Sequence, residues 1–114
     1  MKLLLLLAAI AATTLMAQTP AGDAKHGKEL FLSFACYSCH SFDGHGGAGA
    51  RLVPMPLNEA AFIAFVRNAG RMPSYSSKIL PDAQLADIYA YIKTLPTSPD
   101  AKDIPLIQDL LKQK

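Results

Sequence analysis

Cys36-Tyr37-Ser38-Cys39-His40 is the stretch that decides how the rest of this chain is read. It holds the only two cysteines among 114 residues, three positions apart, with a histidine directly behind them. Paired with each other, the two thiols would close a very small loop, and small loops stabilise least. Such spacing leaves a redox dithiol, a zinc site or a covalent cofactor anchor as the available chemistries. A thioredoxin-like dithiol belongs in a βαβ setting, and strand formers are scarce here. Beyond residue 17, Val, Ile and Thr together number 11, against 13 Ala and 10 Leu. A zinc site would need two more ligands beside Cys36 and Cys39, with only His26, His40 and His45 to supply them.

The third chemistry fits the whole string. C-x-x-C-H is the attachment signature of a c-type haem. Two thiols three residues apart at a helix end can reach the two vinyl groups of one porphyrin. The adjacent imidazole then meets the iron from the same side. The expected cofactor is one haem c with its iron, bonded covalently by Cys36 and Cys39 and ligated by His40.

Around this motif the pattern is helical. Gly27, Leu30, Phe31 and Phe34 share one face of a helix expected from Asp23 to Ala35. Residues 41–56, with Gly44, Gly46, Gly47, Gly49, Pro54 and Pro56, read as a loop able to lie close against a neighbour. Asn58 is a good N-cap, and Leu57 with Phe62 matches a hydrophobic staple. Phe62, Phe65, Val66 and Ala69 then form an apolar face, and Gly70 stops that helix. Pro81 and Asp82 suit the first turn of a further helix. Its stripe is Leu85, Ile88, Tyr89, Ile92 and Leu95, and Pro96 ends it. Residues 97–114 read as a tail lying on the domain, with a short amphipathic pattern at Leu106, Ile107, Leu110 and Leu111.

An iron dedicated to electron transfer takes a second axial ligand, and methionine raises the potential. Met55, Met72, His26 and His45 are the candidates. His45 follows His40 too closely to cross to the other side, and His26 is expected in solvent on the first helix. Met55 lies between two prolines. Met72 lies 32 residues beyond His40, far enough for a loop and a helix to carry the chain around the haem edge. Pro73 stiffens the segment presenting it. The expected metal ligands are therefore His40 and Met72.

Residues 1–17, MKLLLLLAAIAATTLMA, hold 14 of the 58 hydrophobic residues. A basic tip, a short apolar run and small residues at the end form the layout of a secretory signal peptide. Cleavage after Ala17 leaves 97 residues, 45% hydrophobic, with ten basic and nine acidic side chains. That composition argues against a membrane bundle, a disordered chain or a nucleic-acid binder acting through bulk positive charge. The expected location is the periplasm, with no stable membrane insertion once the leader is removed.

From about Gly22 to Pro96 the chain resembles the monohaem class I cytochromes c. The resemblance is carried by Gly27–Phe31, CYSCH, the glycine-rich loop, RMPSY around Met72 and LADIYAYIKTLP. It implies an all-α fold with three main helices wrapped around one covalently attached haem. The expected divisions are a signal peptide at 1–17, a cytochrome c domain at 18–96 and a tail at 97–114. In that family the first and last helices cross, a glycine and an aromatic meeting an aliphatic and a tyrosine. Gly27 and Phe31 against Ile88 and Tyr91 match that arrangement. The family also offers a proline carbonyl to the haem histidine. Here Gly49-Ala50-Arg51-Leu52 stands in the corresponding place, which makes Ala50 the expected acceptor, with Pro54 and Pro56 as rivals. The chain has no tryptophan to meet a haem propionate. Arg51, Arg67, Arg71 and Tyr75 remain as donors, with Arg71 and Tyr75, which flank Met72, as first choices.

With both axial positions filled by protein, the expected role is a periplasmic one-electron carrier, not an enzyme. Its partners would be transient redox donors and acceptors. Two alternatives stand beside it: a cytochrome subunit of a periplasmic dehydrogenase complex, and a haem sensor or ligand-binding protein with a displaceable distal ligand. Lys25, Lys28, Arg51, Arg67, Arg71 and Lys78 could steer acidic partners toward the haem crevice.

Overall fold

In the computed structural model, residues 21–113 are described. The expected signal peptide at 1–17 lies outside them. Five helices follow in order: α1 (Ala24–Ser33), α2 (Tyr37–His40), α3 (Glu59–Arg67), α4 (Asp82–Thr94) and α5 (Pro105–Leu111). A 3-10 turn (Ala101–Asp103) precedes the last. There is no strand among the described residues, so the all-α expectation holds.

Asp23 caps α1, its carboxylate accepting from the Lys25 and His26 amides at 2.9 and 3.2 Å. The helix is two residues shorter at its end than its apolar stripe suggests, and the reason is local. Ala35 takes φ 54°. The Ala35 amide bonds to the Leu32 carbonyl and the Cys36 amide to the Phe31 carbonyl, both at 3.0 Å. That pair of bonds around a left-handed residue is a Schellman turn. It reverses the chain and starts α2, which carries Cys39 and His40.

The main packing event is the crossing of α1 and α4. A Cβ on Gly27 would lie 1.9 Å from the Asp87 carbonyl oxygen, so the two backbones meet where only glycine fits. Gly22, not singled out by its sequence context, is a second such point, 2.2 Å from the Ala86 oxygen by the same construction. Phe31 is fully buried, and its ring meets Tyr91 edge-on, with centroids 5.4 Å apart. The expected glycine–aromatic crossing is present. His26 keeps a partly exposed ring as expected but is also held: its Nδ1 pairs with the Asp87 carboxylate at 2.7 Å, and the other oxygen of Asp87 accepts the Asp23 amide at 2.6 Å. The carboxylate thus ties the start of α1 to the middle of α4.

Asn58 caps α3 as expected, accepting from the Ala61 amide at 2.9 Å. Phe62 and Val66 are buried, whereas Phe65, expected on the same face, is 55% exposed. Pro81 is the N-cap of α4, one position earlier than expected, and Asp82 opens the helix. Leu80, Leu85, Ile88 and Ile92 complete the core with Phe31, Phe62 and Val66.

The start of the tail is tied to the domain where Arg51 donates to the Ser98 hydroxyl at 2.6 Å. Pro96 and Pro99 bracket an exposed stretch, and α5 packs on the 3-10 turn, where Gln108 Nε2 donates to the Ala101 carbonyl at 3.0 Å. Leu106, Leu110 and Leu111 are each more than half exposed. A seven-residue helix behind two prolines finds its partners locally before it can reach the core.

Candidate functional site

An open cavity lies between the crossing, α3 and the segment 72–80. Its walls are almost wholly apolar: Phe31, Leu85, Ile88 and Ile92 from the crossing, Phe62, Phe65 and Val66 from α3, and Leu52 and Leu80 from the loops. Cys36, His40 and Met72 are set into this wall together. Cys39 is exposed beside it, and both thiols are free. Burial pushes the Cys36 thiol above its ordinary value, against a smaller opposing effect of a backbone hydrogen bond.

His40 is aimed by the glycine-rich loop. Gly49 donates its amide to the Cys39 carbonyl at 2.8 Å, and Gly46 to the His40 carbonyl at 3.2 Å, so the loop folds back over α2. This puts the Ala50 carbonyl 2.6 Å from His40 Nδ1. A carbonyl oxygen can only accept, so Nδ1 carries the hydrogen and Nε2 keeps a free lone pair. That is the tautomer a metal ligand needs, with ring orientation held by its second nitrogen. Ala50 is therefore the acceptor, and Pro54 and Pro56 are not.

The approach is tight. A Cβ on Gly49 would lie 2.9 Å from His40 Cε1 and 3.0 Å from Nδ1. Gly49→Ala should push the ring off the Ala50 carbonyl and cost about 1–3 kcal/mol of stability, as overpacking does. Thermal melting of the cofactor-loaded protein checks this; an unchanged midpoint would mean the loop moves freely.

The other candidates are sorted by position. Met55 lines a separate groove with Val53, Pro54, Ile92 and Leu95, away from His40. His45 hydrogen-bonds Asp43 at 3.0 Å within the loop, and this bond holds the Asp43 carboxyl below its ordinary value. Among the described residues, no three His, Cys, Asp or Glu side chains gather around a metal position, so the zinc set does not come together. Tyr75 lines the cavity, meets Phe34 edge-on at 5.8 Å and is pushed above its ordinary value, first by burial.

Two residues considered as propionate donors are engaged elsewhere. Arg51 donates to the Val53 carbonyl and the Ser98 hydroxyl, both at 2.6 Å. Arg67 donates to the carbonyls of Tyr75 and Leu80. Arg67 is also paired with Asp82, which leaves Lys25, Lys28, Arg51, Arg71 and Lys78 as the exposed cations of the expected rim. Arg67 and Asp87 are the structural residues that sequence reasoning missed; both act on partners distant in the chain, and no local signal marks them.

A family model described as cytochrome c oxidase, cbb3-type, subunit III matches residues 22–92. The chain is 35% identical over 82 residues to the cytochrome bc1 complex cytochrome c subunit of Corynebacterium diphtheriae. It is 34% identical over 82 residues to the protein of the same name from Corynebacterium efficiens. Each alignment takes 68% of this chain but only 29% and 27% of the relative, so the match spans less than a third of these longer proteins. No solved structure matches the chain. With the family match extending from the start of the crossing to the end of its core stripe, and with an apolar cavity built around the C-x-x-C-H histidine, this chain belongs to the c-type cytochromes, haem c proteins that transfer electrons rather than catalyse a reaction.

Proposed function

We propose that this chain is an exported one-electron carrier of the periplasm, holding one haem c through Cys36 and Cys39 with His40 and Met72 as axial ligands. The observation that carries this reading is the His40–Ala50 hydrogen bond at 2.6 Å, which leaves Nε2 free on the wall that also bears Met72. The residues fit the group: an apolar cavity, two unpaired thiols, an oriented imidazole and a thioether.

Bound there, the haem supplies a ferric–ferrous couple whose potential a thioether ligand and an apolar setting both raise. The protein's part is to hold that couple still. His40 keeps its tautomer through Ala50, and Met72 would supply the second protein ligand from the same cavity wall. Phe31, Leu85, Ile88 and Ile92 exclude water. With both ligands supplied by the protein, no place would remain for a substrate, in contrast to a sensor with a displaceable ligand.

Met72→Ala is expected to abolish the weak near-infrared methionine-to-iron absorption band and to lower the reduction potential. A redox titration followed optically on the exported protein measures both. A wild-type protein without that band would overturn the ligand assignment.

A second reading is supported by the relatives, which are named as subunits of a cytochrome bc1 complex. In it, the same redox chemistry serves a larger respiratory assembly, with α5 and its exposed leucines free to meet another subunit. This reading takes the place of a dehydrogenase subunit as the leading alternative. Purification under mild conditions separates the two: a free carrier elutes alone, and a subunit brings its complex. Either way the direct partners are redox proteins, with no role for nucleic acid and no stable membrane insertion of the mature chain.

A further inference from the structure

Arg67 closes the last turn of α3, and none of its hydrogen bonds goes to the helix that carries it. Nη1 donates to the Tyr75 carbonyl and Nη2 to the Leu80 carbonyl, both at 2.7 Å. Nη2 also meets the Asp82 carboxylate at the start of α4. The side chain is only 17% exposed, so the two carbonyl bonds are partly shielded from water, while Asp82 stays exposed. The Tyr75 amide adds a bond to the Val66 carbonyl at 3.2 Å, and the Ser74 hydroxyl one to the Ala69 carbonyl at 3.0 Å. The segment between α3 and α4 is not helical. It carries Met72 three residues before the first carbonyl that Arg67 holds.

A planar guanidinium can grip two carbonyls at fixed spacing, which a lysine cannot do. We propose that Arg67 is the positioning residue for Met72: its fork pins the loop at Tyr75 and Leu80, keeps the thioether at the cavity wall and sets how readily an outside ligand displaces it. The inference rests on Met72 being the axial ligand. Without the fork the loop gains alternative conformations, and the competent one is populated less. An external ligand then competes better by the same factor.

The test uses the haem-loaded full chain, with imidazole as the competing ligand and absorption spectra as the readout. Arg67→Met keeps bulk and removes the donors; it should bind imidazole about tenfold more tightly than wild type and weaken the near-infrared methionine band. Arg67→Lys keeps the charge but not the fork, and should fall between; it carries the test if Arg67→Met fails to fold. Asp23→Ala removes the α1 cap, whose carboxylate accepts from the Lys25 and His26 amides and not from the loop. It should lower the melting temperature and leave imidazole affinity and the band as in wild type. The proposal is overturned if a folded Arg67 variant keeps the full band and binds imidazole within about twofold of wild type. It is equally overturned if Asp23→Ala shifts the affinity as much. A wild-type protein without the band removes the ligand reading itself, an outcome distinct from both.

Discussion

Gly27→Ala is expected to destabilise the haem-loaded protein by about 3 kcal/mol or more, despite the better helix propensity of alanine. Propensity favours the change by about 1 kcal/mol in an exposed helix interior. The new methyl group would have to occupy a position 1.9 Å from the Asp87 oxygen and 2.9 Å from the Ile88 amide nitrogen. Both are backbone atoms in the middle of α4, so no rotamer change relieves the overlap. The helices must separate, and the separation spreads to Phe31 and Tyr91, whose edge contact lies on the same crossing. It also pulls on the bonds that Asp87 makes to His26 and the Asp23 amide. For a domain of this size, each kcal/mol shifts the melting temperature by about 4–8 °C, so a fall of roughly 12 °C or more is expected. Gly70→Ala is the matched control. A Cβ there meets nothing within 4 Å, and the change should stay within about 0.5 kcal/mol of wild type. If Gly27→Ala melts alongside Gly70→Ala, the crossing is looser than these contacts require.

That crossing was legible before any coordinates through the family resemblance, which set Gly27 and Phe31 against Ile88 and Tyr91; helical spacing marked the two stripes but not that they meet. The C-x-x-C-H string was legible because its chemistry lies in five consecutive residues. The Ala50 acceptor was legible by correspondence with a family position, and the geometry explains why an alanine serves as well as a proline. The group that acts is a main-chain carbonyl, so what matters is where the loop runs, and Gly49 sets that by lying against the imidazole.

Other features depend on partners that sequence order does not bring together. His26 read as a solvated helix residue because Asp87 is 61 positions away. Arg67 read as a surface cation because its acceptors are main-chain oxygens, which carry no residue-type signal. The contacts of the tail were unreadable for a different reason. Its leucine pattern is a valid amphipathic helix, but amphipathicity states that a face wants cover and does not say what covers it. Ala35 gave no warning of ending α1, since a left-handed alanine is uncommon and only the Schellman bonds show it.

Without haem, the chain is expected to show no cooperative melting and little fixed side-chain packing, even where some helix remains. The argument starts from which residues form the cavity. Phe31, Phe62, Val66, Leu80, Leu85, Ile88 and Ile92 line it, and the same seven belong to the hydrophobic core. The cofactor site is therefore not a pocket added to a finished core; one side of nearly every core side chain faces it. Losing the packing partner on that side leaves a cavity whose cost is on the order of 2–5 kcal/mol, against a total stability of about 5–15 kcal/mol for a whole domain. No disulfide among the described residues offsets the loss. In the proposed holoprotein, the bonds at Cys36 and Cys39 and the ligands His40 and Met72 join α2 to the 72–80 loop through one rigid plate, a role staples play in other small domains. Cys36→Ala/Cys39→Ala, made in the full chain, provides the measurement. Circular dichroism should show a broad, non-cooperative thermal transition and near-ultraviolet signals close to zero. A sharp melt from a haem-free chain would show that the crossing and α3 hold together on apolar packing alone.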